Sequence, residues 1–331
     1  MTRRDMMKTT EKRVLAALTS VMLFATGSPA EAEDGCTLQG DVVVPKGVAI
    51  SDSGGTDIAQ FTGAKAALSM SGFSSSGGRA KVQTLGFRID GYVRSREIPV
   101  YTARSVPSYT GHVWIAESRR VSVVGAGPGK LRVEKSVSAP LRGTFTAWAP
   151  CDALTLTERV ATGWTPPGGA RGYVTRRDNI NLYSSEQGEV VTSLQRGGDG
   201  SSLLLWSSDR SGAWVHIEHH GDIVLDGWVR ASDVSALPEG ETMDQLAPPP
   251  IVHGAPTLNV QGQPKIVHID RSVPLRAAAS DAAGTIGAVD SGVDVMVLDI
   301  VAGWASVLPK SLSVSPIGSS QFWVRAKDIG L

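Results

Sequence analysis

Few residues in this chain have the types and spacing for chemistry. Cysteine occurs only as Cys36 and Cys151, and the stretch WVHIEHHGD (214–222) gathers three of the six histidines. A cysteine nucleophile needs a histidine base and a third group that orients the base. No β–α context surrounds Cys36, and Cys151 sits inside a repeated motif, so neither reads as a nucleophile. On a strand, His216, Glu218 and His220 would share one face, a donor set suited to a metal. HHGD nevertheless has turn composition, and the stretch is read as the polar tip of a hairpin. VVGAGPGK (123–130) departs from GxxxxGK[ST] and no helical pattern follows it, so it too reads as a turn. No carboxylate pair is nominated by spacing. The expectation is a non-catalytic chain with no metal or cofactor site.

The elements that would position these residues begin after a leader. Arg3, Arg4, Lys8, Lys12 and Arg13 precede an apolar run from Val14 to Gly27, and Ala30-Glu31-Ala32 follows. This order of basic, apolar and small residues predicts a secretory signal over 1–32. The run is shorter than the roughly 20 residues a membrane span needs, and Glu33 stands where a lipoprotein signal would place an apolar residue. Past residue 32 the charge is nearly balanced, at 27 basic against 29 acidic residues. That offers no basic footprint for a polyanion, which argues against nucleic acid as a partner.

The closing FWVRAKDI (322–329) repeats GWVRASDV (227–234), and GYVRSREI (91–98) and AWAPCDAL (147–154) are further versions. All four place an aromatic second: Tyr92, Trp148, Trp228 and Trp323. Each closer has an upstream opener, Val48-Ala49-Ile50, Ile98-Pro99-Val100, Ile180-Asn181-Leu182 or Val273-Pro274-Leu275. The last opener residue lies 42, 48, 46 and 48 residues before the aromatic. Between them are short β-branched runs punctuated by glycine, as in VVTSLQRG, SLLLWSS and AWVHIEHH. Internal repetition with alternating strands predicts tandem small all-β barrels.

Four repeats are assigned, over 36–97, 98–160, 173–237 and 265–331. Ile98 ends the first and starts the second, so those two are expected to form one body. An exported chain with two cysteines favours a Cys36–Cys151 disulfide clamping that body. The spacers 161–172 and 238–264 are Pro- and Gly-rich, as in semi-extended linkers, which predicts a fixed pair followed by two tethered beads.

The opener, the Ala-Trp-Val or Gly-Trp turn and the final G-W-V resemble the bacterial SH3-like (SH3b) family. The match is fullest in the third repeat, through Asn181-Leu182-Tyr183, Gly197, Ala213-Trp214-Val215 and Gly227-Trp228-Val229. The fourth matches through Gly303-Trp304 and Phe322-Trp323-Val324. The second keeps only Pro99-Val100, Leu131-Arg132-Val133 and Trp148, and the first only Tyr92-Val93. The resemblance implies SH3-like barrels and an exported binding role, with peptidoglycan or wall-derived peptides as the ligand. The alternative is an envelope adaptor that recruits another protein. Tyr92, Trp148, Trp228 and Trp323 are expected as core or half-core residues of the repeat. Tyr101, Tyr109, Trp114, Tyr183 and Trp206 lie off that place and are the nominated ligand contacts, since amphipathic rings give contact area at low entropy cost.

Overall fold

Alternation of apolar and polar residues sets the elements. The computed structural model describes residues 35–109, 111–138, 141–161, 163–196, 203–238 and 264–331. The expected leader, Gly197 and nearly all of the second spacer lie outside them. The first repeat holds β1 (Leu38–Val43), β2 (Ala49–Ser51), β3 (Asp57–Phe61), β4 (Lys65–Ser71), β5 (Arg79–Thr84) and β6 (Phe87–Arg94). The second holds β7 (Val100–Thr102), β8 (Val106–Tyr109), β9 (Val113–Ile115), β10 (Arg120–Gly127), β11 (Lys130–Val137), β12 (Leu141–Pro150) and β13 (Leu154–Thr155). The third holds β14 (Arg171–Thr175), β15 (Asn179–Tyr183), β16 (Val190–Arg196), β17 (Leu204–Ser211), β18 (Trp214–His220), β19 (Ile223–Arg230) and β20 (Val234–Ala236). The fourth holds β21 (Lys265–Ile269), β22 (Val273–Arg276), β23 (Thr285–Val289), β24 (Val293–Val301), β25 (Trp304–Pro309), β26 (Val314–Ser315) and β27 (Trp323–Arg325).

Backbone pairing repeats one order: first strand, fourth, fifth, sixth, second, third. It runs β1-β4-β5-β6-β2-β3, β14-β17-β18-β19-β15-β16 and β21-β24-β25-β27-β22-β23. The second repeat follows it as β7-β10-β11-β12, with the β8–β9 hairpin beside β12, where the Ser108 hydroxyl donates to the Thr146 carbonyl at 2.8 Å. A short 3₁₀ turn forms the second half of every closer, at Ser95–Glu97, Cys151–Ala153, Ala231–Asp233 and Ala326–Ile329. The opener of the second repeat needs correction. Val100 begins β7, a first strand, whereas the other three openers fall on second strands. The equivalent second strand is Val106–Tyr109, whose Pro107 and Ser108 break the apolar triplet.

Strand geometry explains the closers. Side chains alternate between faces, and the core position belongs to the residue after the aromatic: Val93, Ala149, Val229 and Val324 are all buried. The rings lie on the other face. Tyr92, Trp228 and Trp323 are half-buried, and Trp148 is 46% exposed, so it is not a core residue. The aromatic pairs with the last residue of the second strand in three repeats, as Ser51↔Tyr92, Tyr183↔Trp228 and Arg276↔Trp323. That crossing accounts for the closer glycine. A Cβ on Gly91 would lie 2.7 Å from the Ser51 carbonyl oxygen, and one on Gly227 2.9 Å from that of Tyr183.

Among the described residues the strands merge into two antiparallel sheets, of 13 and 14 strands, with no separately closed barrel. The first sheet joins the first repeat to the fourth, and the second sheet joins the second to the third. The picture of two tethered beads is thereby replaced. In the first seam β23 pairs with β6 (Gly287↔Ile89) and β26 with β3 (Val314↔Phe61). In the second, β9 pairs with β19 (Val224↔Trp114) and β12 with β16 (Leu141↔Arg196). Each seam therefore engages the third strand of either repeat with the start of its partner's sixth-strand segment, a reciprocal, two-fold-like arrangement. The sequence gives no local cue for this, because backbone hydrogen bonds carry no side-chain signature.

The two sheets meet through the front repeats. Cys36 and Cys151 form a disulfide across a sequence separation of 115 residues. Beside it the Asp41 amide donates to the Thr157 hydroxyl at 3.2 Å, and the Ala126 amide to the Ser75 carbonyl at 3.3 Å. A disulfide accords with an oxidising compartment. Among the described residues no helix is long and apolar enough to cross a membrane. The first spacer is not free either: Trp164 stacks on His220 with ring centroids 4.0 Å apart.

Candidate binding face

The outer face of the third repeat follows from the alternation in β18 and β19. Val215, Ile217 and His219 point into the core, leaving Trp214, His216, Glu218 and His220 outward. Cross-strand pairing sets Trp214 against Arg230, His216 against Trp228 and Glu218 against Asp226. Tyr183 meets Trp214 edge-on at 4.9 Å, and the Arg230 guanidinium lies 5.8 Å from the centroids of both rings. His216 is tilted against Trp228 at 5.0 Å and pairs through Nε2 with Asp226 Oδ1 at 2.7 Å. The result is a cation over two rings, continued along the strands by an imidazole–indole pair.

The same place is furnished in every repeat. Arg79 lies over Tyr92 at 4.5 Å, Lys130 over Trp148 at 5.1 Å, and Arg325 over Trp304 at 5.4 Å. These groups occupy the start of the fifth strand and the end of the sixth, where Arg79 pairs with Arg94, Lys130 with Pro150, Trp214 with Arg230 and Trp304 with Arg325. In the first two repeats the fifth strand supplies the cation and the sixth the ring. In the last two the roles are exchanged. Sequence reading missed this pairing, since it counted only the aromatics; the Arg two places after the closing aromatic supplies the cation in the third and fourth repeats, and a residue at the start of the fifth strand supplies it in the first and second.

The nominated contacts divide. Tyr183 is part of the cluster. Trp206 pairs with Glu218 across β17–β18, and Trp114 opposes Val224 where β9 joins the third repeat, so both border the same sheet. Tyr101 and Tyr109 stand in the second repeat. Burial and neighbouring Glu158 raise the Tyr101 phenol, against the lowering effect of Arg120, so it remains a neutral donor. Tyr109 is 46% exposed at the end of β8.

Two other features carry less chemistry. His216, Glu218 and His220 do share a face, and among the described residues no set of three or more His, Cys, Asp or Glu could hold a metal ion. An open cleft of about 460 Å³ lies at the first seam between Leu85, Phe87, Val293 and Lys310. Its carboxylate, Asp294, is held below the usual range by hydrogen bonds from His268 and Lys310. Those bonds leave little of its charge for a ligand. The chain matches no protein-family profile and no curated protein.

Proposed function

We propose that this is an exported, non-catalytic binding protein of four SH3b-like units. Its ligand is peptidoglycan or a wall-derived peptide, held on the outer edge of the fifth and sixth strands. One observation carries the reading: a cation and a ring recur at that edge in all four repeats. Equivalent sites on one body suit a repetitive polymer, because linked weak contacts raise avidity provided they can engage together. The common strand order supports the SH3-like assignment, and the disulfide, which occupies both thiols, supports a non-catalytic role.

Co-sedimentation with purified peptidoglycan sacculi tests it. The protein is expected to pellet, and Trp214→Ala or Arg230→Ala to weaken binding about tenfold, the scale of a lost cation–ring contact. A protein that stays in the supernatant overturns the wall reading. The concentration of Tyr183, Trp214, Trp228 and Arg230 in a single repeat favours a second reading, an envelope adaptor with one protein-binding patch. In that case the third-repeat variants lose a protein partner while sacculus binding is absent throughout.

A further inference from the structure

The loop between the second and third strands borders the cation–ring place, and the repeats use it differently. It has five residues in the first repeat (52–56), six in the third (184–189) and eight in the fourth (277–284). In the first, the Arg79 guanidinium donates to the Asp52 carbonyl at 3.3 Å. In the third, Glu186 accepts from the Ser211 hydroxyl at 2.8 Å, beside Trp214. Among the described residues none of Arg79, Lys130 and Arg230 pairs with a carboxylate, and all three are exposed. A guanidinium laid on a ring keeps its N–H fork free at the rim, a geometry matched to a carboxylate.

The fourth repeat fills its own site. Arg276 stands where the third repeat has Tyr183, and its Nη1 donates to the Asp281 carbonyl at 3.1 Å and the Ala283 carbonyl at 2.6 Å. These bonds hold the loop beside Trp304, whose ring lies 6.0 Å from Arg276 and 5.4 Å from Arg325. The Asp281 carboxylate is there the partner of Arg325. Burial records the difference. Trp304 is 8% exposed, whereas Trp214 is half-buried and Trp148 is 46% exposed. Every residue of β25 is buried, on both faces, where β18 alternates.

We propose that the cation–ring sites of the first three repeats take a carboxylate of an acidic peptide, and that Asp281 is the fourth repeat's built-in stand-in for it. The inference rests on the binding face described above and adds the chemical group that face selects. The occupant in the fourth repeat is a peptide aspartate, which makes a peptide rather than a sugar acid the ligand class. Three sites are then open to a ligand and one is closed from within.

The eight tryptophans provide eight indole N–H signals for NMR of the isotope-labelled protein. The probe is acetyl-Ser-Asp-Ala-amide, which copies residues 280–282. It is expected to shift the Trp148 and Trp214 signals and to leave Trp304 in place, while its asparagine analogue shifts none. Arg230→Gln should weaken the response at Trp214 about tenfold, the scale of a lost hydrogen bond to a charged group, and spare that at Trp148. Asp281→Asn should bring Trp304 among the responding signals. An asparagine peptide that works as well as the acidic one overturns the proposal, and so does a Trp304 that responds in the wild type or stays silent in Asp281→Asn. Glucuronate acting at lower concentration than the peptide overturns the peptide assignment. Sacculi that pellet a protein blind to the acidic peptide overturn this inference alone; a peptide response without pelleting overturns the wall reading alone.

Discussion

The two seams share a backbone plan and differ in what fills it. Each has a three-residue ladder and a two-residue ladder. The seam between the first and fourth repeats is apolar: Phe87 and Phe322 lie 5.5 Å apart, both buried, and its ion pair, Arg88–Asp290, is long at 3.7 Å. The seam between the second and third is charged: Asp222 receives Arg119 at 3.0 Å and Lys135 at 2.9 Å, and His112 pairs through Nδ1 with the Asp226 carbonyl at 2.9 Å. Phe322 stands where two other closers have glycine, so the fourth repeat spends its closer on its neighbour. Both seams bury apolar residues, Val113, Ile115, Ile223 and Leu225 in the second, and the second adds close ion pairs at its rim.

The largest expected effect is at the apolar seam. Phe87→Ala should cost about 3–5 kcal/mol, the usual price of emptying a buried aromatic site, and the loss should be insensitive to salt. Gly287 tests the same seam through its backbone, since a Cβ there would lie 1.9 Å from the Arg88 carbonyl oxygen; Gly287→Ala should force β23 away from β6. Denaturant titration reads both.

Removing the bond between the sheets comes next. Cys36→Ser with Cys151→Ser should lower stability by about 2–5 kcal/mol. It should also split one unfolding transition into two, one per seam, in calorimetry. A single transition would show that the noncovalent contacts between the front repeats suffice for coupling.

Acid should single out the second sheet. Burial lowers the pKa of His219, with the bond to the Leu204 carbonyl opposing, and burial likewise lowers that of His220. A folded value below the unfolded one means that protons bind the unfolded chain more tightly. The stabilising effect is then complete above the unfolded value, about 6.5, and is lost as pH falls from there down through the folded value, by at most about 1.4 kcal/mol per pH unit per group. Melting curves between neutral and mildly acidic pH should show this slope, and His219→Gln should flatten it. The smallest effect is Asp222→Ala, about 1 kcal/mol or less for a partly exposed ion pair and fading with salt.

What was legible in the sequence follows from side-chain pattern. The four closers were visible because strand crossing fixes a ring, a core aliphatic and often a glycine at set places. The Cys36–Cys151 pairing was visible from compartment and count. The outward set His216, Glu218 and His220 followed from alternation alone. The seams were not legible, because β23, β9 and β16 join their neighbours through main-chain bonds that any residues can make. The repeated cation was overlooked because it changes strand between the front and back repeats, so no single column of the alignment holds it.

The nesting of the repeats, first with fourth around second with third, also sets an order of events. A chain made from its N-terminus completes the first repeat long before β23 and β26 exist. Until then β3 and β6 must wait with their outer edges unpaired. The inner seam needs only the next repeat along and can form first, and Cys151 already follows Cys36 before either back repeat appears. The disulfide can therefore hold the front repeats in place while the outer partner is still arriving, and the fourth repeat acts as the clasp that ends the process.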